Sequence, residues 1–366
     1  MTSSSTVPET TTSAPVKPTT AASTATATAT GAPSHPVSVA ILGAGRLAES
    51  MAATLTAMAA DPRYSALVRP YAVAARDAGR AHDFAARHGI PISFGSYEEL
   101  VADPTVDLVY IATPHSLHAE QALMCLRAGK GVLVEKAFTV NAGQAQKVIN
   151  LSESSHLACV EAIWTRFMPS RRIIDEVLAS GVIGEVKAVT ANLGYPTTHK
   201  ARIVDPALAG GALLDVGVYA LNFIDMVLGS RPIARIDTSM SPWSTGVDAQ
   251  NATTLWYEDG TMASATSSMV ALSDRTGAVW GTEGYVLCRN INNVESVDVF
   301  GRDHRPIAHH DVPPQLTGYE YEVAAAAHAV LEGRSECPEM PHADTLRMMG
   351  LMDRIRGEWG LRYPGE

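Results

Sequence analysis

The sequence predicts an α/β protein in two folded parts: a doubly wound parallel sheet, then an α+β domain on a large, mostly antiparallel open sheet. Three observations carry this. Short runs rich in Val and Ile alternate with helix-forming segments from residue 36 to about 160. A glycine turn of the form G-x-G-x-x-A joins the first run to the first helix. Beyond residue 185 strand-like runs follow one another, with turn pairs such as Asp259-Gly260 between them. The 366 residues, 46% hydrophobic and 18% charged, suit two cores at roughly 150 residues per domain. The expected divisions are a Ser/Thr/Ala/Pro tail over 1–35, a first domain over 36–160 and a second over 161–366.

Composition excludes several classes of function. Against 38 Asp and Glu stand 28 Lys and Arg, a net charge of −10, which repels nucleic-acid backbones. No run approaches the ~20 apolar residues a bilayer span needs, so no membrane contact is expected. Cys125, Cys159, Cys288 and Cys337 form no C-x-x-C pair, which reads as free thiols in a reducing compartment, the cytoplasm. The tail has almost no large apolar residue and cannot offset its ordering entropy, so it is expected to be disordered.

In chain order, Pro36–Leu42 reads as a buried parallel strand, and Gly43-Ala44-Gly45-Arg46-Leu47-Ala48 follows at once. Gly43 permits the tight turn, Gly45 lets the backbone approach a pyrophosphate, and Ala48 lets helix and strand pack closely. The helix opening at Arg46 and Leu47 then turns its partial positive charge toward the phosphates. This is the dinucleotide-binding turn of a Rossmann domain. Tyr71–Ala75 is the second strand; a helix over 79–88, a capping box at Ser96, strands at 108–111, 131–134 and 157–160, and helices over 117–128 and 141–155 complete the alternation. The end of the second strand sorts the cofactor. Ala75 holds the position where NAD enzymes place an acid for the ribose 2′-OH, and Arg76 comes next, with Arg80 a turn later. Asp77 reads as a helix cap, so the charge pattern favours NADP, with NAD a lesser option.

The run from Thr113 to Asn141, T-P-H-S-L-H-A-E-Q-A-L-M-C-L-R-A-G-K-G-V-L-V-E-K-A-F-T-V-N, together with the glycine turn, resembles the Gfo/Idh/MocA family of NAD(P)-dependent oxidoreductases. Glu135-Lys136-Ala137 stands where that family has Glu-Lys-Pro beside the nicotinamide; Ala137 is the departure. The stretch Glu161–Pro169 is similar to the E-A-x-W-T-R-F-x-P of the branch holding trans-dihydrodiol dehydrogenase and NADP-dependent D-xylose dehydrogenase. Gly210–Tyr219 is similar to the G-G-x-L-x-D-x-G-x-Y that opens the family's catalytic helix. The resemblance implies a nicotinamide ribose lined by Thr113, Pro114 and His118. It also implies cofactor contacts from Glu135 and Lys136, and an aromatic wall and polar clamp from Trp164 and Arg166.

The residues make chemical sense beside the family. Oxidising an alcohol needs a base for the hydroxyl proton as hydride leaves the carbon, and the reverse needs an acid. Tyr219 does either if a nearby Lys136 ammonium lowers its pKa from about 10. Asp215, four residues earlier and on the same helical face, is expected to hold a substrate hydroxyl or orient the Lys. His115 and His118 have no third partner at zinc spacing, so no metal is expected; His309 and His310 read as surface residues. The resulting expectation is an NADP-dependent enzyme acting on CH–OH groups of a small sugar or polyol, through Tyr219, Lys136 and Asp215. Its uncovered sheet face is expected to pair subunits into a homodimer or homotetramer. The rival expectations are a cofactor-binding sensor without turnover, and a ketosugar reductase or glucose–fructose-type enzyme that keeps its nucleotide.

Overall fold

The computed structural model describes Met1 and residues 35–366; the expected disorder of the tail lies outside those residues. β1 (Val37–Leu42) is buried along its whole length and leads through the glycine turn into α1 (Arg46–Ala60). β2 (Val68–Ala74), α2 (Ala78–His88), β3 (Ile92–Phe94) and α3 (Tyr97–Ala102) follow. The remaining units are β4 (Leu108–Ile111), α4 (His115–Arg127), β5 (Gly131–Glu135), α5 (Ala142–Ser155) and β6 (Cys159–Ala162). The six strands are parallel in the order β3-β2-β1-β4-β5-β6. Strand order reverses between β1 and β4, and ligand crevices form at that point. The expected helix starts hold at the side-chain level: Asp77, Ser96 and Asn141 each accept a backbone N–H from the first turn they cap.

The second sheet begins after α6 (Pro169–Ala179). It comprises β7 (Val186–Gly194), β8 (Ile233–Pro242), β9 (Asp248–Tyr257), β10 (Met262–Ser268), β11 (Gly277–Gly281), β12 (Gly284–Arg289), β13 (Ser296–Gly301) and β14 (Pro306–Asp311). Its order is β14-β13-β12-β11-β7-β10-β9-β8, antiparallel except for the β7–β10 pair. β14 was not legible in the sequence: it alternates polar and half-buried residues, and His309 lies on it with an exposed side chain. Between β7 and β8 the chain forms the short helix α7 (Ala201–Val204), a π-helical turn over Leu213–Gly217, and α8 (Val218–Leu228). α8 packs on β7, β10 and β11, while α10 (His342–Trp359) packs on β8, α5 and α8. The segment Pro206–Leu228 is long and apolar enough to cross a bilayer, which corrects the expectation that no such run exists; 83% of its most apolar window is buried inside the protein. All four cysteines are buried free thiols.

α9 (Glu320–Leu331) packs on the first sheet against β1, β4, β5 and β6. It carries Glu322, which is fully buried with no hydrogen-bond partner on either carboxylate oxygen. Burial, then the charge of Glu135, pushes its pKa well above the ordinary carboxylate range. The folded state therefore binds this proton more tightly than the unfolded chain. The associated stability is present below the unfolded value near 4.3 and is lost as pH rises, by about 1.4 kcal/mol per pH unit until the folded pKa is reached. Glu322→Gln is uncharged and nearly isosteric, so its Tm advantage over the parent should widen between pH 5 and pH 9. An offset independent of pH would show that Glu322 is not held protonated.

Candidate functional site

The crevice beyond the carboxyl ends of β1, β4 and β5 gathers most of the residues singled out in the sequence. Gly43 sits at φ +106°, and a Cβ there would lie 3.1 Å from the Ala112 carbonyl oxygen on the adjacent strand end, so only Gly fits. Gly45 precedes the first turn of α1, and a Cβ added to it meets nothing within 4 Å. That open space over helix N–H groups is what a dinucleotide diphosphate needs, so the turn fits the group. Ala48 is buried and Arg46 is exposed at the mouth of the turn. Ala75 is buried, whereas Arg76 and Arg80 are exposed; Arg80 Nη2 donates to the Ala44 carbonyl oxygen at 2.8 Å. Asp77 is occupied as the α2 cap, accepting the Arg80 N–H at 2.7 Å. This end of the crevice therefore presents two guanidinium groups, and Asp77 between them in sequence is already bonded. A groove of about 480 Å³ opens beside it, lined by Ala44, Asp77 and Arg80 among others.

At the other end, three side chains converge across the two sheets. Lys136 follows β5 directly, and its Nζ donates to the Asp215 backbone oxygen at 2.6 Å and lies 3.4 Å from Asp215 Oδ1. The same ammonium lies 4.9 Å from the centroid of the Tyr219 ring. Asp215 occupies the π-helical turn, not the first turn of a regular α-helix, so its relation to Tyr219 differs from the simple four-residue spacing expected. The wide turn lies tight on the second sheet: a Cβ on Gly217 would lie 2.8 Å from Ser267 Oγ on β10. Asp248, buried at the start of β9, holds the turn by accepting the Leu213 N–H at 2.8 Å and Asn251 Nδ2 at 2.7 Å. Burial opposes ionisation of Asp215, yet Lys136 and Arg202 overcome it and hold the carboxyl far below its ordinary range.

Tyr219 departs from expectation in its acidity. Burial raises its pKa well above 10, and Glu135, Tyr319, Glu322 and Asp215 add in the same direction. Lys136 sits over the ring face with its hydrogen bond committed to Asp215, and its charge does not outweigh the desolvation. Without bound cofactor, the residue is a phenol at neutral pH. Beneath it, Tyr110 donates to Glu135 Oε1 and the Lys136 N–H to Glu135 Oε2. Burial raises Glu135 to about 7, with Lys136 opposing.

The remaining candidates divide. Trp164 stacks on Tyr319 with centroids 4.4 Å apart and 16° between planes, forming an aromatic wall with a partner the sequence did not suggest. Thr113 Oγ1 bonds Gln121, and Pro114 precedes the first turn of α4. His118, expected at the nicotinamide ribose, has both ring nitrogens on backbone oxygens. It is fully buried, with Nδ1 2.9 Å from the Ala137 oxygen and Nε2 2.9 Å from the Thr113 oxygen, so it latches the loops after β4 and β5 together. His115 is likewise buried, 2.9 Å from the Ala209 oxygen, and burial pushes its pKa down to about 3, so it stays neutral. Arg166, expected as a polar clamp, is bonded inside the protein. Its Nε donates to Asn222 at 2.7 Å, Nη1 to Asp344 at 2.7 Å and Nη2 to Asp225 at 2.5 Å, all within the protein. Glu161, in the same motif, accepts Thr345 Oγ1 at 2.8 Å, so this stretch docks α10 onto the fold. Among the described residues no cluster suits a metal ion. Sequence reading missed Arg202, Asp248, Tyr110, Tyr319 and Glu322; none lies in a spacing that marks it, and long-range packing alone brings them to the crevice.

Comparison with known proteins places these features in a wider set. A model of the oxidoreductase family with NAD-binding Rossmann fold, GFO/IDH/MocA, matches residues 37–162, and its C-terminal domain model matches 172–287. Trans-1,2-dihydrobenzene-1,2-diol dehydrogenase of Macaca fascicularis is 36% identical over 298 residues, covering 80% of this chain and 89% of that protein. The Mus musculus protein of the same name is 32% identical over 334 residues, covering 88% and 97%. A 3-ketoreductase from Actinomadura kijaniata, solved with NADP and TDP-benzene, superposes with a TM-score of 0.77 at 27% identity, covering 88% and 98%. Levoglucosan dehydrogenase with NADH and levoglucosan gives a TM-score of 0.79 at 20% identity, covering 89% and 97%, a likeness of fold.

Breaking a buried charge network by removing one partner typically costs about 3–5 kcal/mol. Arg166→Met should therefore lower Tm sharply while the dissociation constant for NADP, read by fluorescence titration of the folded variant, stays within about two-fold of the parent's. Intact stability with weakened nucleotide binding would restore the clamp.

Proposed function

Since the chain belongs to the Gfo/Idh/MocA family of oxidoreductases, we propose that it is an NADP-dependent enzyme interconverting a hydroxyl and a carbonyl group on a small sugar or cyclic diol. The observation that carries the chemistry is the convergence of Lys136, Asp215 and Tyr219 in the crevice that the dinucleotide turn opens. The curated relatives named as dihydrodiol dehydrogenases and the ketoreductase solved with NADP support the substrate class and the cofactor. Gly43, Ala44, Gly45, Arg46 and Leu47 would hold the diphosphate. Arg76 and Arg80 would meet a 2′-phosphate as charge-assisted donors. The loops with Thr113, Pro114 and Glu135 would line the nicotinamide end.

The nicotinamide, when bound, supplies the hydride acceptor or donor at C4. The protein's part is the proton. In oxidation the substrate hydroxyl proton passes to Tyr219 Oη as hydride leaves the same carbon; in reduction Tyr219 Oη gives its proton to the carbonyl oxygen. A phenol with a raised pKa is already in the donor form at neutral pH, so the site is ready for reduction and needs higher pH for oxidation. Lys136 stabilises negative charge as it develops on the phenol, and Asp215 fixes the Lys. The Trp164–Tyr319 stack offers an apolar wall for a ring-shaped substrate. The outer face of the second sheet exposes Trp256, Trp280 and Ile307, the features expected of a surface that pairs with a second copy of the chain in a homo-oligomer. Four buried free thiols suit a cytoplasmic setting.

Tyr219→Phe should lower kcat by about 10² or more with little change in KM, because it removes the proton carrier and leaves the ring. In the parent, kcat/KM for oxidation should climb from pH 7 toward pH 10 while that for reduction stays level. A near-parental kcat in the variant removes Tyr219 from the reaction. Arg76→Ala should raise KM for NADP by about ten-fold or more and leave that for NAD nearly unchanged; equal effects on both would mean that Arg76 does not read the 2′-phosphate.

A further inference from the structure

We infer that Arg202 is a positioning residue for this reaction: by holding the Asp215 carboxylate, it keeps the Lys136 ammonium off that carboxylate and over the Tyr219 ring. The inference rests on the roles of Tyr219 and Lys136 proposed above. Arg202 Nη1 donates to Asp215 Oδ1 at 2.8 Å, while Lys136 Nζ stays 3.4 Å from the same oxygen. Ammonium–carboxylate hydrogen bonds close to about 2.7–2.9 Å when nothing competes. Lys136 instead spends its short bond, 2.6 Å, on the backbone oxygen of Asp215. One carboxylate thus serves two cations, and the guanidinium has the closer contact. Arg remains charged at any working pH, so the arrangement does not loosen as the site titrates.

The placement of Arg202 suits this part. It lies on α7, whose neighbouring turn leads into Gly210-Gly211 and the π-helical turn that carries Asp215. Its side chain is 40% exposed, whereas those of Lys136 and Asp215 are 10% and 8% exposed. Asp215 is faced by Lys136, Arg202 and His115, the last of them neutral. Tyr219 is faced by Lys136, Asp215, Glu135, Tyr319 and Glu322. Were Arg202 lost, Lys136 would be the strongest partner left for a buried carboxylate. It would close onto Oδ1 and withdraw from the ring. The guanidinium charge would be gone and the ammonium farther from the phenol, so its proton would be harder to remove.

The test uses the full-length protein with Arg202→Met, Arg202→Gln and Arg202→Lys, each checked for folding by Tm. In the Met and Gln variants kcat should fall by about ten-fold or more while substrate KM and the NADP dissociation constant change by less than about three-fold. The rising limb of kcat/KM for oxidation should move to higher pH, and Arg202→Lys should return part of both effects. A raised KM at unchanged kcat would make Arg202 a substrate contact instead. A pH limb that stays in place would overturn the inference even if Tm fell. If Tyr219→Phe keeps its kcat, the reading of the reaction itself fails; if Tyr219→Phe is inactive and the Arg202 variants are not, only the role of Arg202 fails.

Discussion

Asp215 is buried between two cations that reach it from different parts of the chain. Lys136 comes off the end of β5 in the first sheet, and Arg202 from a short helix that leads out of the second. A carboxylate so placed is costly to desolvate, and the two cations are what hold it ionised. That single group binds the Rossmann sheet to the second sheet at the crevice. It also fixes the ammonium over Tyr219, so the geometry proposed for proton transfer and the joint between the two sheets share one interaction. The π-helical turn serves the same joint, with its first N–H capped by buried Asp248 and Gly217 close against β10.

Behind this pair the site is backed by acid groups in an apolar layer. Tyr110 and the Lys136 N–H take the two oxygens of Glu135, and Glu322 faces the same layer from α9 with no partner. Burial raises the proton affinity of all three kinds of group, Glu135, Glu322 and Tyr219, and the charges raise one another. The electrostatic environment thus keeps the phenol protonated even with an ammonium near it. Proximity to a cation is a poor guide to acidity when desolvation is this complete.

Arg166 and His118 both have partners of their own within the protein. Each stands where the family resemblance puts it, but each has its polar atoms satisfied inside the protein. Arg166 fastens Trp164–Arg166 to α8 and α10, and His118 ties two strand-end loops together. Both hold the crevice in shape rather than filling it. The Trp164 wall gains its partner, Tyr319, from the loop before α9, where Gly318 at φ +94° passes so close to Trp164 that a Cβ would lie 2.8 Å from the indole.

Local pattern alone determined the alternation that makes the first sheet, its parallel sense, the caps at Asp77, Ser96 and Asn141, and the glycine turn, whereas the strand order is a tertiary fact. Each depends on residues within one turn or one strand of each other. It also pointed to the Lys and Tyr proposed above as the reacting pair, through motifs read whole. The tertiary structure alone decided which charges face them. Asp248, Glu322 and Tyr319 reach the crevice from far along the chain and Arg202 from 13 residues before Asp215, and no spacing in the sequence encodes the approach of a guanidinium to a particular oxygen. It decided the acidity of Tyr219 as well, because a pKa answers to burial and to neighbours in space, and neither is a property of the segment that carries the residue.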